Sequence, residues 1–179
     1  MNIWQNQNNA YFCDMMKKYL VSMMMALVAA VLLGGCATSA ERAAQKAEQV
    51  KKVAAALNER QYKIAIARMY PMKGPSKTVS YGYSVEVKND SLFSYLPYFG
   101  RAYNVPYGGG KGLNFSAPIE SYQEGMGKNG KRHIEIKLTN EEDTYLYTLE
   151  VFDNGSSSVS VMSRQREQIS YSGDMEFDR

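Results

Sequence analysis

From Tyr62 onward the apolar residues of this chain recur at every second position. Tyr62, Ile64 and Ile66 alternate with Lys63, Ala65 and Ala67. Val79, Tyr81, Tyr83, Val85 and Val87 repeat the pattern, and Ile134, Ile136 and Leu138 alternate with His133, Glu135 and Lys137. A period of two sends successive side chains to opposite faces of a strand, so these runs predict half-buried β-strands. Further strands are predicted at Ser91–Tyr95, ended by Pro97, and at Leu113–Ser116, Ser121–Gly125, Thr144–Phe152, Ser157–Arg164 and Gln168–Ser172. Tight turns are expected at Asn89-Asp90, at Asn129-Gly130 and at Asp153-Asn154-Gly155, because Asn and Gly accept positive φ most readily.

Ahead of the strands the period changes. Ala40–Asn58 is built from Ala, Glu, Lys, Gln and Arg without Gly or Pro, and Val50, Val53, Ala54 and Leu57 recur at helical spacing. Ser39 is placed to cap this helix. Its first turns carry only Ala on the apolar side, so it is expected to dock near its C-terminal end and to serve as a stalk before that. The predicted fold class is α+β, mostly β: an N-terminal helix followed by an antiparallel β-meander of about eight strands, as a curled sheet or a small barrel.

The segment before the helix reads differently again. Lys17-Lys18 precedes an apolar run from Tyr19 to Leu33, which ends in Leu33-Gly34-Gly35-Cys36. A positive start, a short apolar core and small residues before a cut make a secretory signal peptide. The run falls short of the roughly 20 apolar residues of a spanning helix. The Cys after the glycine pair resembles the bacterial lipoprotein signal, in which the thiol is acylated and Cys36 becomes the first mature residue. Ala37 follows in place of an inner-membrane retention Asp, so the expected location is the cell envelope, on the periplasmic face of the outer membrane. Residues 1–14, polar through Asn9, do not fit a signal peptide and precede a natural start at Met15 or Met16; they are read as an over-extended start.

The expected organisation is therefore 1–14 over-extended start, 15–35 signal peptide, 36–58 lipid-anchored helical stalk, 59–173 β domain and 174–179 tail. This division changes the composition. Both Cys, the only Trp and six of the 11 Met lie at or before Cys36, whereas 12 of the 14 Tyr lie after it. Removing Lys17, Lys18 and Asp14 moves the formal charge from +3 to +2. A mature chain with one acylated Cys and little net charge excludes a disulfide scaffold, a thiolate zinc site and an electrostatic nucleic-acid binder.

Leu96-Pro97-Tyr98-Phe99-Gly100-Arg101-Ala102-Tyr103 is the least ordinary stretch, followed by Pro106-Tyr107-Gly108-Gly109-Gly110-Lys111 and Gly112-Leu113-Asn114-Phe115. With the closing Ile169-Ser170-Tyr171-Ser172-Gly173, these segments resemble a family of Bacteroidetes lipoproteins known as domain of unknown function 4251. The resemblance covers about Arg60–Gly173 and implies an exported protein without an established activity. Physically, the prolines and glycines fix an unusual path, and Tyr98, Phe99, Arg101, Tyr103 and Tyr107 form a candidate recognition surface for a sugar, peptide or lipid. The competing reading is a packed crossover whose aromatics plug the sheet.

Catalytic chemistry is sparse. His133 is the one imidazole and falls on the face opposite Ile134 and Ile136. Glu141-Glu142-Asp143 reads as a solvated hairpin tip without calcium-loop spacing. The Gly-rich run lacks the Lys-Ser/Thr ending of a phosphate loop. No cofactor, metal site or catalytic residue is assigned. The expected function is a non-enzymatic ligand- or partner-binding β domain. The alternatives are a carrier holding a small apolar ligand in a barrel-like cavity and a carboxylate-dependent hydrolase.

Overall fold

The structure is a computed structural model that describes residues 39–80, 82–104, 112–127 and 130–177, together with Tyr19, Leu20, Met23 and Met24. The expectations for Cys36, for Tyr107 and for Asn129 lie outside the described residues. The chain divides into two units, Met1–Ala44 and Gln45–Arg179. In the first, the described residues are helical. No helix among the described residues is long and apolar enough to cross a membrane.

Helix α1 (Ser39–Asn58) is followed by ten strands among the described residues. Glu41 complements the positive dipole of its first turn. Only Val53 and Leu57 are buried, while Val50 is 40% exposed, so burial is confined to the C-terminal turns. Just past the helix end stands Arg60, a non-glycine residue at φ 52°, whose guanidinium lies 4.4 Å over the Tyr122 ring. Gln49 donates to the Asn154 carbonyl at 2.5 Å and Arg132 donates to Asn58 Oδ1 at 2.9 Å, tying the helix to the adjoining hairpin turns.

The strands are β1 (Tyr62–Pro71), β2 (Lys77–Thr78), β3 (Ser84–Lys88), β4 (Ser91–Leu96), β5 (Leu113–Pro118), β6 (Ser121–Met126), β7 (Arg132–Thr139), β8 (Thr144–Val151), β9 (Ser156–Ser163) and β10 (Ile169–Glu176). They form one antiparallel sheet in the order β5-β4-β3-β1-β10-β9-β8-β7-β6, with β2 alongside β1. Eight successive antiparallel pairings give β5 and β6 the same direction. Only Ile119 and Glu120 separate them in sequence, yet they occupy opposite ends of the order. The sheet must therefore curl into a half-barrel whose two ends are the halves of one bent strand. Ile119 N–H donates to Asp90 O and Glu120 N–H to Lys137 O, both at 2.9 Å, fastening the bend to both sides.

Several local expectations change. The alternation from Val79 to Val87 is interrupted at Gly82 (φ 107°), so only Ser84–Lys88 joins the ladder as β3, with the two-residue β2 before it. Asn89 and Asp90, at φ 51° and 56°, make the turn of type I′ character. At Asp153-Asn154-Gly155 only Gly155 has positive φ, and Gly155 N–H donates to Phe152 O at 2.8 Å, as in a type I turn with a glycine bulge. β1 continues to Pro71 across a bulge at Ala67, and β10 continues to Glu176, past the expected domain end at Gly173.

The hairpin tip Glu141-Glu142-Asp143 is also a correction. Glu141 is exposed, but Asp143 is 8% exposed, and its carboxylate accepts from the Thr144, Arg164 and Gln165 N–H groups at 2.7, 3.3 and 2.9 Å. Glu142 lies 3.5 Å from the Arg166 guanidinium. The tip is a clamp on the β9–β10 loop rather than a solvated turn.

Inward positions fill the half-barrel. Ile64, Val85, Leu92, Ile134, Ile136, Leu138, Leu149 and Val159 are fully buried, joined by Tyr145, Tyr147 and Tyr171. Tyr147 donates to Ser94 Oγ at 2.9 Å, and Ser94 donates to Leu113 O at 2.7 Å. Tyr171 donates to Pro97 O at 2.7 Å. These bonds satisfy hydroxyls that would otherwise be costly to bury. Burial raises the hydroxyl pKa of Tyr62, Tyr147 and Tyr171 well above the usual tyrosine value.

Alkaline instability follows. Below about pH 10 these tyrosines are protonated in both states and add no pH slope. Above it the unfolded chain loses protons that the folded chain keeps, so stability falls by about 1.4 kcal/mol per pH unit for each such tyrosine. Urea unfolding between pH 9 and 11 should show that loss, and a Tyr171→Phe variant should show a shallower slope.

Candidate functional site

The segment after β4 owes its path to the residues that bracket it. Leu96 is buried at the end of β4, and Pro97 ends the ladder. The chain then runs beside the β9–β10 loop. Tyr103 N–H donates to Gln165 O at 2.7 Å, Glu167 N–H to Arg101 O at 2.9 Å, and Ala102 bridges Arg166. Tyr98 points back across this junction, its hydroxyl within 2.9 Å of Arg101 O and 3.1 Å of Glu167 O. Arg101 N–H reaches Glu167 Oε2 at 3.2 Å. Burial, and then the Glu167 carboxylate, raise the Tyr98 pKa, keeping the hydroxyl protonated as a donor. A Cβ at Gly100 would fall 2.7 Å from the Tyr98 hydroxyl oxygen, so a larger residue would push that hydroxyl off its two carbonyl partners.

The candidate residues thus separate by role. Tyr98 is half-buried and holds the segment in place. Phe99, Arg101 and Tyr103 face solvent, Phe99 and Tyr103 at 49% and 64% exposure. Lys77 of β2 places its ammonium 3.6 Å from the centre of the Phe99 ring, a cation–π contact between distant parts of the chain. The outer face of β4 adds Phe93 and Tyr95, 45% and 53% exposed, and Tyr83 stacks on Tyr95 at 5.0 Å. The alternation of Leu92, Ser94 and Leu96 already places Phe93 and Tyr95 outward, and that signal could have found them. Nothing in the sequence pointed to Lys77, Glu167 or Arg166.

For other chemistry the arrangement offers less. His133 is on the outer face, partly exposed, 3.4 Å from Glu135 and paired across the ladder with Glu150. No group of three or more His, Cys, Asp or Glu that could hold a metal ion occurs among the described residues. Among the described residues, the inward positions of the half-barrel carry the buried core side chains, and two grooves open at the surface. One of about 450 Å³ is lined by Lys52, Tyr62, Lys63, Glu86 and Phe177, and another of about 480 Å³ lies between β5 and the β7–β8 turn.

No curated protein matches this sequence. Among solved structures, the crystal structure of a DUF4251 family protein from Bacteroides eggerthii DSM 20697 is similar, with a TM-score of 0.56. It is 15% identical, and the match covers 74% of this chain and 89% of that one, which shows a common fold. The family model described as domain of unknown function DUF4251 matches residues 44–175, nearly the whole helix-and-sheet unit. The chain belongs to the DUF4251 family.

Proposed function

We propose that this protein is a lipid-anchored component of the cell envelope, held at the periplasmic face of the outer membrane by acylated Cys36, and that its β domain binds a ligand or partner without catalysis. The recognition surface in this reading comprises Phe99, Arg101 and Tyr103, with Tyr107 beside them in sequence and Tyr98 as the support. The observation that carries it is the contrast within one segment. Its backbone is tied to the β9–β10 loop by several hydrogen bonds, while about half of Phe99 and most of Tyr103 remain exposed. Aromatics held rigid and open to water lose little conformational entropy on binding, which suits them to stacking on a sugar ring or packing against a peptide or acyl chain.

Two measurements test the two halves. The Phe99→Ala/Tyr103→Ala double variant should melt within a degree or two of the parent and lose most of the material that the parent captures from native membranes. A large drop in melting temperature would instead make these aromatics packing residues. Independently, Cys36→Ala should abolish labelling by a fatty-acid probe and leave the precursor unprocessed. Undiminished labelling would remove the anchor.

A further inference from the structure

Among the described residues, the bent strand that closes the half-barrel is paired along only one side of each half: β5 with β4, β6 with β7. Hydrogen-bond alternation tells which main-chain groups point away from the paired side. Ile119 bonds to Asp90 O, so in the β4–β5 ladder the bonded positions of β5 are Ala117 and Phe115, and the main-chain groups of Asn114 and Ser116 point away from β4. On the facing side, Asn140 N–H bonds to Asp143 O, which assigns Leu138 and Asn140 to the β8 ladder and turns the groups of Thr139 outward. The surface between these lips is the groove of about 480 Å³, lined by Asn114–Pro118 and by Thr139–Glu142. Phe115 lies at its inner side, 4.7 Å from the ring of buried Tyr145.

Exposed sheet edges are ordinarily blunted by a charge or a proline along the strand. Pro118 stands at the end of this edge, next to the bend, but Asn114, Ser116 and Thr139 are small, uncharged and exposed. We propose that the seam takes up an extended peptide segment of a partner protein by strand addition between β5 and the end of β7. Because β5 and β7 run in opposite directions, the guest lies antiparallel to one lip and parallel to the other, bonding to main-chain groups of both. About three guest residues match the stretch Asn114–Ser116. One inward apolar side chain packs on Phe115, and a neighbouring Lys or Arg meets the exposed Glu141 carboxylate.

The test pans a random heptapeptide phage library against the full chain in detergent. Sequences with an apolar residue flanked by Lys or Arg should be enriched, and the best synthetic peptide should slow amide exchange at Ser116 and Thr139 at least tenfold. Ser116→Pro removes a seam-facing N–H without touching the β4 ladder, and should weaken that peptide at least tenfold with little change in melting temperature. If that variant folds poorly, the same peptide N-methylated at alternate positions serves instead and should fail to bind the parent. Absence of enrichment, equal binding to Ser116→Pro, or undiminished binding by the N-methylated peptide overturns the proposal. So does a dimer of this chain that Ser116→Pro dissociates, which would make a second copy the occupant.

Discussion

Gly173→Ala is expected to prevent the domain from folding, or to lower its stability by more than about 3 kcal/mol, at the upper end of overpacking penalties and a large part of a typical domain's total. Gly173 is buried in β10 beside the bulge of β1, where the register steps from Ile66↔Gly173 to Arg68↔Ser172. A Cβ built there overlaps the carbonyl of Ala65 and crowds the Ile66 Cα. Those are main-chain atoms of a central strand, paired with β3 on its other side, so they cannot move aside as a side-chain tip would. Gly125→Ala is the matched control. It lies in β6 with nothing within 4 Å of the added Cβ and should change the urea midpoint little, or raise it slightly through the less flexible unfolded chain. Equal midpoints for the two variants would overturn the argument.

The second large effect is expected at Asp143. Replacing it with Ala strands three main-chain donors, those of Thr144, Arg164 and Gln165, in a largely buried position. Hydrogen bonds to a charged group contribute about 1.5–3 kcal/mol each, and part of that returns if water enters, so a net loss of about 3 kcal/mol is expected. Asp143→Asn should fall between parent and Ala, because it keeps one acceptor oxygen and turns an amide donor toward donors. Thermal unfolding ranks the three. Amide exchange at Gln165 locates the damage, since the β9–β10 loop also holds the Tyr98–Tyr103 segment. Loss of binding in Asp143→Ala without a change in Phe99 or Tyr103 would therefore be an indirect effect.

Both residues mark the limit of reading this chain one residue at a time. The period of two over Ile134–Leu138, Thr144–Val151 and Ser157–Val161 was legible because one face of each strand is packed and the other is wet. Those faces are the buried and exposed sets observed. The break at Gly82 was less legible, since Tyr81 and Tyr83 continue the alternation while the glycine φ ends the ladder. In the candidate segment, four aromatics and an Arg looked alike in sequence. Only the Arg101 and Glu167 carbonyls that accept from its hydroxyl separate the half-buried Tyr98 from the exposed Phe99, beside Lys77, and Tyr103.

By itself, then, the sequence determined what depends on neighbours along the chain: a helix that buries only its last turns, a run of antiparallel strands, and the family those segments resemble. Periodicity and turn chemistry are local, and they survive in any arrangement of the strands. The tertiary structure decided what depends on residues brought together from afar. It curled the sheet until β5 and β6 became one closing strand, turned Asp143 from a surface acid into a clamp, and required a hydrogen atom in place of a side chain at position 173. Such roles follow from pair distances, and no pattern along one strand encodes what will cross it.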